Sequence, residues 1–257
     1  MHPVLVEIGR LRIYSYGFML ALSFWIGMLI AAKRAEKRGI SPDRVYDLSI
    51  VLVLASVIGS RMLYILTHRE DYHSILDVIA LWQGGATFYG GFLLALAGAI
   101  LFIRAKKLSF FLVADACAPA IALGLFFTRI GCFLSGCCFG HPTSSMFGIV
   151  FPPHSPAGYF CPGTPVHPTQ LYSAFYGLVT AGLLFALDRK RPFTGFTFSC
   201  FCILYGAGRY TIDFFRYYEN SACLWRFMTV SQLMSLFLAA AGIVMLAVLP
   251  RKLAKGS

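Results

Sequence analysis

Three charged side chains in an otherwise apolar segment have the types and spacing to bind an anion. The segment reads Tyr205-Gly-Ala-Gly-Arg209-Tyr-Thr-Ile-Asp213-Phe-Phe-Arg216. On a helix, residues three or four apart are neighbours, so we expect all three charges on one face. Two arginines against one acid leave a positive charge unpaired, and the guanidinium fork matches phosphate or carboxylate. The alternative is a salt-bridged triad that only stabilises a helix bundle.

A further arginine, Arg129, precedes a stretch rich in glycine and cysteine. Gly131, Gly136 and Gly140 permit close approach of the backbone or a broken helix. Free backbone N–H groups at such a site suit a phosphoryl group. We therefore interpret Arg129 as a residue that holds a ligand.

The cysteines of this stretch, Cys132, Cys137 and Cys138, fall within seven residues. Their spacing matches no standard zinc or redox signature, and we expect no metal site. Packing as small apolar side chains is the default interpretation for the eight cysteines of the chain. A disulfide involving Cys161 or Cys223 is the leading alternative, followed by a catalytic thiol and a metal site.

Two weaker motifs complete the set. The first is Trp82-Gln-Gly-Gly-Ala-Thr-Phe-Tyr89-Gly-Gly, which contains Gly90 and Gly91. The second is His167-Pro-Thr-Gln170-Leu-Tyr172, whose proline suits the first turn of a helix. Glycine-rich turns beside membrane helices are common, so neither motif is specific alone.

The composition of the whole chain identifies the elements that must position these residues. Of 257 residues, 58% are hydrophobic and 13% charged, and the mean hydropathy is +0.71. These values exclude a water-soluble globular domain. The net charge of +11 lies mainly between long apolar runs, so anionic lipid is favoured over nucleic acid as the partner.

Apolar runs predict an all-α integral membrane protein with about seven transmembrane helices. We expect a single polytopic membrane domain over residues 1–257, with functional loops on the outer side near 67–88 and 128–169. The first span is long and followed by basic residues, which predicts a retained helix and not a signal peptide. The predicted spans are Ile13–Ala32, Tyr46–Leu66, Tyr89–Ile103, Phe110–Phe127, Gln170–Leu187, Gly195–Ile212 and Val230–Leu249.

The basic residues predict the orientation of the chain. Fourteen of the 22, including every lysine, fall in loops on one side, which the positive-inside rule places in the cytoplasm. An odd number of spans then puts the N-terminus outside and the C-terminus in the cytoplasm. The outer half carries only arginines, namely Arg10, Arg12, Arg61, Arg69, Arg129, Arg209, Arg216 and Arg226. Snorkelling to headgroups is the alternative to a phosphate-binding role for these residues.

Taken together, the motifs resemble the prolipoprotein diacylglyceryl transferases, membrane enzymes of the bacterial inner membrane. The resemblance runs nearly from end to end, and the ordered set is more specific than any member. The matching stretches are Tyr14-Ser-Tyr16-Gly17, Gly59-Ser-Arg61-Met-Leu-Tyr64, Trp82 to Gly91, Asp115 with Pro119, Arg129 to Gly140, His167 to Tyr172, and Gly206 to Arg216.

The resemblance implies transfer of the diacylglyceryl group of phosphatidylglycerol to the lipobox cysteine of a preprolipoprotein, with release of glycerol 1-phosphate and no metal or organic cofactor. It places Arg129 and Arg209 on the phosphate, with Asp213 and Arg216 orienting Arg209 and Arg61 supporting the site or the headgroup. The implied catalytic residues are Arg129, Arg209, Tyr89 and Tyr16, and the implied substrate-binding residues are Arg61, Gly90, Gly91, Cys132, Gly140, His167, Gln170, Asp213 and Arg216.

Departures from the family pattern fall on the acceptor side. Tyr89 stands where the family has the histidine expected as general base, and an ordinary phenol, with a pKa near 10, is a poor base at neutral pH. Cys132, Ser135 and Cys137 replace two amides and a carboxylate, and Ser173 replaces a glutamate. Two alternatives follow: a paralogue using the same lipid donor on another acceptor, and a non-catalytic phospholipid-binding or transport protein.

Overall fold

The structure is a computed structural model that describes residues 1–9, 11–68, 87–218, 223–225 and 228–254, with backbone alone for 8, 11, 88, 223–225 and 251–254. Most of the predicted loop 67–88, including Trp82, and also Arg10, Arg69 and Arg226, lie outside the described residues. The helices are α1 (Ser15–Glu36), α2 (Pro42–Thr67), α3 (Phe88–Ala105), α4 (Phe110–Ser135), α5 (Pro156–Phe160), α6 (Thr169–Leu187), α7 (Phe196–Asp213) and α8 (Val230–Ala254). Two antiparallel hairpins pair β1 (Val4–Ile8) with β2 (Leu11–Tyr14) and β3 (Cys223–Trp225) with β4 (Met228–Thr229).

A long helix lies over each apolar run of the sequence. Five helical segments are long and apolar enough to cross a membrane, and Tyr89–Ala105 is a shorter apolar helix. The all-α, multi-pass membrane architecture is therefore confirmed. Helix α7, the sixth predicted span, is not among the five because glycine and polar side chains interrupt its apolar sequence. The five qualifying segments are Ser15–Glu36, Pro42–Thr67, Phe110–Ser135, Thr169–Leu187 and Val230–Pro250.

Helix α4 continues two turns beyond the predicted span and ends at Ser135. Arg129 and Cys132 therefore lie on the helix, and the prediction that residues from 128 onward form a loop was wrong for these positions. Gly131 does not break the helix, and it lies where α4 contacts α1. A Cβ added there would lie 3.0 Å from the Cβ of Met19 and 3.3 Å from the Cα of Tyr16.

The described chain forms two compact units, one of residues 32–113 and one of residues 1–31 with 114–257. In the first unit, α2 packs against α3 through facing glycines. A Cβ on Gly90 would lie 2.2 Å from the carbonyl oxygen of Gly59, and one on Gly59 would lie 2.4 Å from that of Gly90. The absence of side chains at both positions lets the two backbones touch, as small residues do in membrane helix pairs.

The second unit contains α4, α6, α7 and α8. Gly206 of α7 approaches the carbonyl oxygen of Ser235 on α8, where an added Cβ would lie at 2.6 Å. Asp115 of α4 caps the start of α7, because its carboxylate accepts hydrogen bonds from the backbone N–H groups of Gly195 (2.7 Å) and Phe198 (2.8 Å). These contacts fix α7, which carries Arg209 and Asp213, against its neighbours.

Candidate active site

Arg209 and Asp213 form a buried ion pair on α7. Arg209 Nη2 lies 3.0 Å from Asp213 Oδ1, and the Asp213 side chain is fully buried. The hydroxyl of Tyr218 accepts a hydrogen bond from the same Nη2 (2.8 Å) and donates to Asp213 Oδ1 (2.5 Å). Thr229 donates to the other carboxylate oxygen at 2.5 Å. Asp213 thus has both oxygens occupied, and it holds the Arg209 fork in one orientation.

The second arginine of the predicted pair reaches the same cavity. Arg129 of α4 and Arg209 of α7 both line a narrow space of about 10 Å³. Arg129 Nε and Arg209 Nη1 are buried and have no hydrogen-bond partner in the described part of the chain. Buried donors are normally satisfied, so both atoms are positioned for an acceptor that the described residues do not supply. The remaining lining residues are Leu125, Ser173, Tyr176, Tyr205 and Ile212.

Arg216 lies beyond the end of α7, so the prediction that it shares a helix face with Arg209 and Asp213 was wrong. Its backbone N–H donates to the carbonyl of Asp213 (3.2 Å), and its guanidinium lies 5.1 Å from the ring centroid of Tyr218. Its Nε is also buried without a hydrogen-bond partner among the described residues. Arg216 therefore adds a cation near the pair, and among the described residues it is linked to Arg209 through Tyr218, whose ring it overlies and whose hydroxyl is hydrogen-bonded to Arg209.

Gly140 and His167 connect the loop after α4 to the segment that follows α7. Gly140 N–H donates to the carbonyl of His167 (2.9 Å), and His141 N–H donates to that of Phe215 (2.9 Å). A Cβ on Gly140 would lie 2.4 Å from the Phe215 oxygen. The His167 ring is hydrogen-bonded to the hydroxyl of Tyr172 at 3.2 Å. The antiparallel β-bridge between Gly140 and Arg216 thus requires glycine at position 140. In the described structure Gly140 positions the backbone of Arg216.

The predicted residues Cys132 and Gln170 meet at the turn that ends α4. Gln170 is fully buried, and its Nε2 donates to the carbonyl of Cys137 at 2.7 Å. Cys132 is buried, with Cys137 and Cys138 next to it. Hydrogen bonds from the thiols of Cys132 and Cys137, together with the charges of Arg216 and Arg129, lower the pKa of Cys138 below its ordinary value. The two arginines thus make the surroundings of this sulfur cationic.

Tyr16 lies in the first turn of α1, where its backbone packs against Gly131. Its hydroxyl is within electrostatic range of Cys132 and Arg129. The structure thus brings Tyr16 to the end of α4 that carries the predicted phosphate ligand.

The other predicted residues belong to the unit of residues 32–113. Arg61 on α2 is 6% exposed, and Tyr89 in the first turn of α3 is 61% exposed. Gly90 and Gly91 are buried against α2, with an added Cβ on Gly91 lying 2.9 Å from the Ser56 oxygen. Close helix packing accounts for both glycines, and their role in substrate binding stays a prediction.

An apolar groove adjoins the arginine-lined cavity. Its volume is about 790 Å³, and it shares Tyr176 and Ile212 with the cavity as a common wall. Aromatic and aliphatic side chains from the loop after α4, from α6 and from α7 form it. They include Met146, Phe147, Ile149, Leu171, Tyr172 and Phe175.

Two partners of the ion pair had no signal in the sequence. Tyr218 lies after the end of α7, and Thr229 lies in β4. Tyr218 follows Asp213 by five residues but lies past the helix end, where helical spacing no longer predicts contacts, and Thr229 is sixteen residues away. All the described cysteine side chains, Cys161 among them, are free thiols, as in the default interpretation, and the alternative of a disulfide at Cys161 is not found; the side chain of Cys223 lies outside the described residues.

The fold and the site define a multi-pass helical membrane protein with a cationic cavity beside an apolar groove. The chain belongs to the prolipoprotein diacylglyceryl transferase family, whose model matches residues 3–248. The phosphatidylglycerol–prolipoprotein diacylglyceryl transferase of Clostridium tetani is 32% identical over 245 residues, 95% of this chain and 96% of its own. A Clostridium perfringens enzyme of the same description is 33% identical (95% and 94% covered), and that of Geobacter sulfurreducens is 35% identical (83% and 82%).

Proposed function

We propose that this chain transfers the diacylglyceryl group of phosphatidylglycerol to the thiol of the lipobox cysteine in preprolipoproteins and releases glycerol 1-phosphate. The match to the family over nearly the whole chain supports this activity, as do relatives that bear the name of this transferase. The substrates are then one membrane lipid and one membrane-tethered peptide, and both reach the protein from the bilayer.

The observation that carries the proposal is the cationic cavity next to the apolar groove. A phosphatidylglycerol molecule has an anionic phosphodiester joined to long hydrocarbon chains. Arg129 and Arg209 offer unsatisfied donors to the phosphodiester, and the groove beyond Tyr176 and Ile212 offers an apolar surface to the chains. The cavity has the volume of about one water molecule, so its side chains must move apart to admit the phosphate.

The charge change of the reaction matches the arginines. The cysteine sulfur forms a bond to the diacylglyceryl carbon that carries the phosphate, and the bond between that carbon and the phosphate oxygen breaks. The bonding electrons stay on the phosphate oxygen, so the negative charge of the phosphate rises from one to two as the diester becomes a monoester. The thiol proton passes to a base. Donors fixed on the leaving oxygen stabilise the transition state more than the ground state. Because Asp213 fixes Arg209 in advance, little reorganisation is needed when that charge appears.

Acceptor activation is assigned to Tyr89, with Tyr16 and Cys132 near the donor site. Tyr89 occupies the position of the family histidine and is exposed enough to meet a peptide thiol. Arg61, Gly90, Gly91, Gly140, His167, Gln170, Asp213 and Arg216 are proposed as the residues that shape or bind the substrates.

The proposal includes the membrane topology. In addition to the five long helices and α3, helix α7 would serve as the seventh span, since its charges face the protein interior and not lipid. The lysine-bearing loops would lie in the cytoplasm, with the N-terminus outside and the chain forming one polytopic domain in the bacterial inner membrane.

The test is direct transfer by the purified protein. Detergent-solubilised protein is incubated with phosphatidylglycerol labelled in its headgroup glycerol and a lipobox peptide, with a cysteine-to-serine peptide as control. We expect a thioether-linked diacylglyceryl peptide by mass spectrometry and equimolar labelled glycerol phosphate. Absence of this product, under conditions in which the Clostridium tetani relative forms it, would overturn the proposal. A lipid adduct on a thiol of the chain itself would point instead to another acceptor.

A further inference from the structure

Three cysteine sulfurs converge at the end of α4. The Sγ atoms of Cys132, Cys137 and Cys138 all lie within 4.8 Å of one another. Cys132 is buried on the last turn of the helix, and the other two follow in the turn, half-buried. We call this group the cysteine trio. Its sulfurs are close enough for one atom placed between them to contact all three.

Buried side chains of α6 hold the trio in place. Gln170 donates to the carbonyl of Cys137 at 2.7 Å, and Thr169 donates to that of Cys138 at 2.8 Å. The backbone N–H of Cys137 donates to the carbonyl of Cys132 at 3.1 Å. Gln170 and Thr169 are 0% and 2% exposed. The two carbonyls are thus anchored from the protein interior, and the thiols keep their convergence without a ligand.

Cys138 has a backbone conformation that is unusual for a cysteine. Its φ is +60°, in the left-handed region where glycine is the ordinary residue. Gly136, two residues earlier, has a φ of +71° and does use glycine. Glycine therefore suits the backbone at this position, and a glycine there would remove the third sulfur of the trio.

The charges around the trio suit an anionic centre. Arg129 and Arg216 both act electrostatically on the Cys138 sulfur. Three thiolates around a monovalent cation carry a net charge of −2. Two guanidinium groups balance that charge, so the site would form without a buried net charge.

We propose that Cys132, Cys137 and Cys138 bind a soft, thiophilic metal ion, and that Cu(I) is the ion best matched to them. Metal–thiolate bonds of about 2.3 Å separate the sulfurs of a three- or four-coordinate site by roughly 4 Å, close to the spacing present here. Thiolates select Cu(I) and Zn(II), and structural zinc requires a fourth ligand. Within the described residues the cluster contains cysteine alone. Binding displaces the thiol protons of the trio to solvent.

This inference revises the expectation of no metal site. Sequence spacing alone does not show that residues on a helix and in the following turn bring their sulfurs together. The revision concerns an ion bound beside the proposed lipid site and assigns that ion no part in diacylglyceryl transfer, so it stands whether or not the transferase proposal does.

The test is transfer of copper from a coloured chelator. Purified, reduced protein is titrated anaerobically into the Cu(I)–bicinchoninate complex, and loss of its colour reports copper taken up by the protein. We expect one tightly bound equivalent in the wild type and X-ray absorption showing three sulfur ligands. Cys138→Gly, which suits the left-handed backbone, and Cys137→Ser should each lose that equivalent. Cys161→Ser, a half-buried cysteine outside the trio, should retain it.

Thermal unfolding in detergent establishes that each variant is folded before its copper content is compared. The proposal is overturned if the wild type takes no copper from the chelator. It is also overturned if Cys138→Gly and Cys137→Ser both bind as the wild type does, or if the bound ion has nitrogen or oxygen ligands in place of sulfur. Preferential binding of Zn(II) with four ligands would reject Cu(I) as the matched ion.

Discussion

Asp213 lies one helical turn after Arg209 on α7 and pairs with it at 3.0 Å, while the opposite edge of the carboxylate accepts a hydrogen bond from Thr229. A charge buried in this way is stable only because every oxygen is satisfied. The pair leaves Arg209 Nη1 without a partner in the described structure. One side of the guanidinium is therefore fixed by the protein, and the other carries the donor that we propose for the substrate phosphate.

The first prediction concerns Arg209 itself. Arg209→Ala should lower kcat for diacylglyceryl transfer by about 100-fold or more, because one preorganised donor to the leaving phosphate is removed. Arg209→Lys keeps the charge but loses the guanidinium fork, so its kcat should lie between those of the wild type and Arg209→Ala. The assay is glycerol phosphate release with phosphatidylglycerol and a lipobox peptide. Arg12→Ala, at an exposed ion pair with Glu7, is the matched control and should leave kcat unchanged; equal activity of Arg209→Ala and Arg12→Ala would reject the role of Arg209.

The second prediction separates the charge of Asp213 from the hydroxyl of Tyr218. Asp213→Asn leaves a buried guanidinium without its counter-charge and should cost about 3 kcal/mol or more of unfolding free energy, together with most of the activity. Tyr218→Phe removes one bridging hydroxyl and should cost about 1 kcal/mol. Thermal unfolding in detergent measures stability, and transfer assays measure kcat.

Tyr217→Phe is the matched control for this pair of variants, because its hydroxyl makes none of the hydrogen bonds found between described residues of the Arg209–Asp213 network. A Tyr218→Phe enzyme as damaged as Asp213→Asn would mean that the hydroxyl, and not the carboxylate, positions Arg209.

Much of the fold was predictable because apolar runs of membrane length have few structural alternatives. Without water, a chain in lipid must satisfy its backbone internally, and the helix does so. The contact of Arg209 with Asp213 was predictable for a related reason, since a four-residue spacing on a helix places two side chains together. The meeting of Arg129 with Arg209 was expected only from the resemblance to a family, because no local rule brings α4 to α7.

The wrong predictions concern residues near helix ends, where a helix stops earlier or continues further than expected. Arg216 was expected on the helix face, but α7 ends at Asp213 and the chain turns toward Gly140. Arg129 was expected at a loop boundary, but α4 continues to Ser135, and Gly131 on this extension packs against Tyr16. Tertiary contacts decide both outcomes, and they are not visible in the spacing of neighbouring residues.

The third prediction tests whether Gly140 acts through backbone packing. Gly140→Ala would place a methyl group 2.4 Å from the Phe215 oxygen and 2.7 Å from the His167 Cβ. We expect a loss of about 1–3 kcal/mol of stability as the two segments separate, and a lower kcat because Arg216 moves with its segment. Gly182→Ala, with open space around its Cβ position in α6, is the matched control and should stabilise the helix by about 0.5–1 kcal/mol. Unchanged melting of Gly140→Ala would refute the packing argument.

The fourth prediction addresses the residue at the position of the family histidine. Tyr89 is 61% exposed in the first turn of α3, so replacing its side chain should not disturb the fold. Tyr89→Phe removes the hydroxyl and should lower kcat by about 100-fold if that oxygen takes the thiol proton, with binding of phosphatidylglycerol unchanged. Tyr159→Phe, at a tyrosine that is 77% exposed, controls for loss of a surface hydroxyl.

Tyr89→His tests the opposite change, in which a stronger base is introduced at this position. An imidazole has an ordinary pKa of about 6.5, so at neutral pH it is largely the free base, whereas an ordinary phenol is protonated. We therefore expect Tyr89→His to raise kcat at pH 7 and to introduce an acid limb, with the rate falling below about pH 6 as the imidazole is protonated. The pH–rate profiles of wild type, Tyr89→Phe and Tyr89→His measure this directly. Wild-type kcat in Tyr89→Phe, with no acid limb added in Tyr89→His, would show that the thiol is activated by a residue elsewhere in the chain.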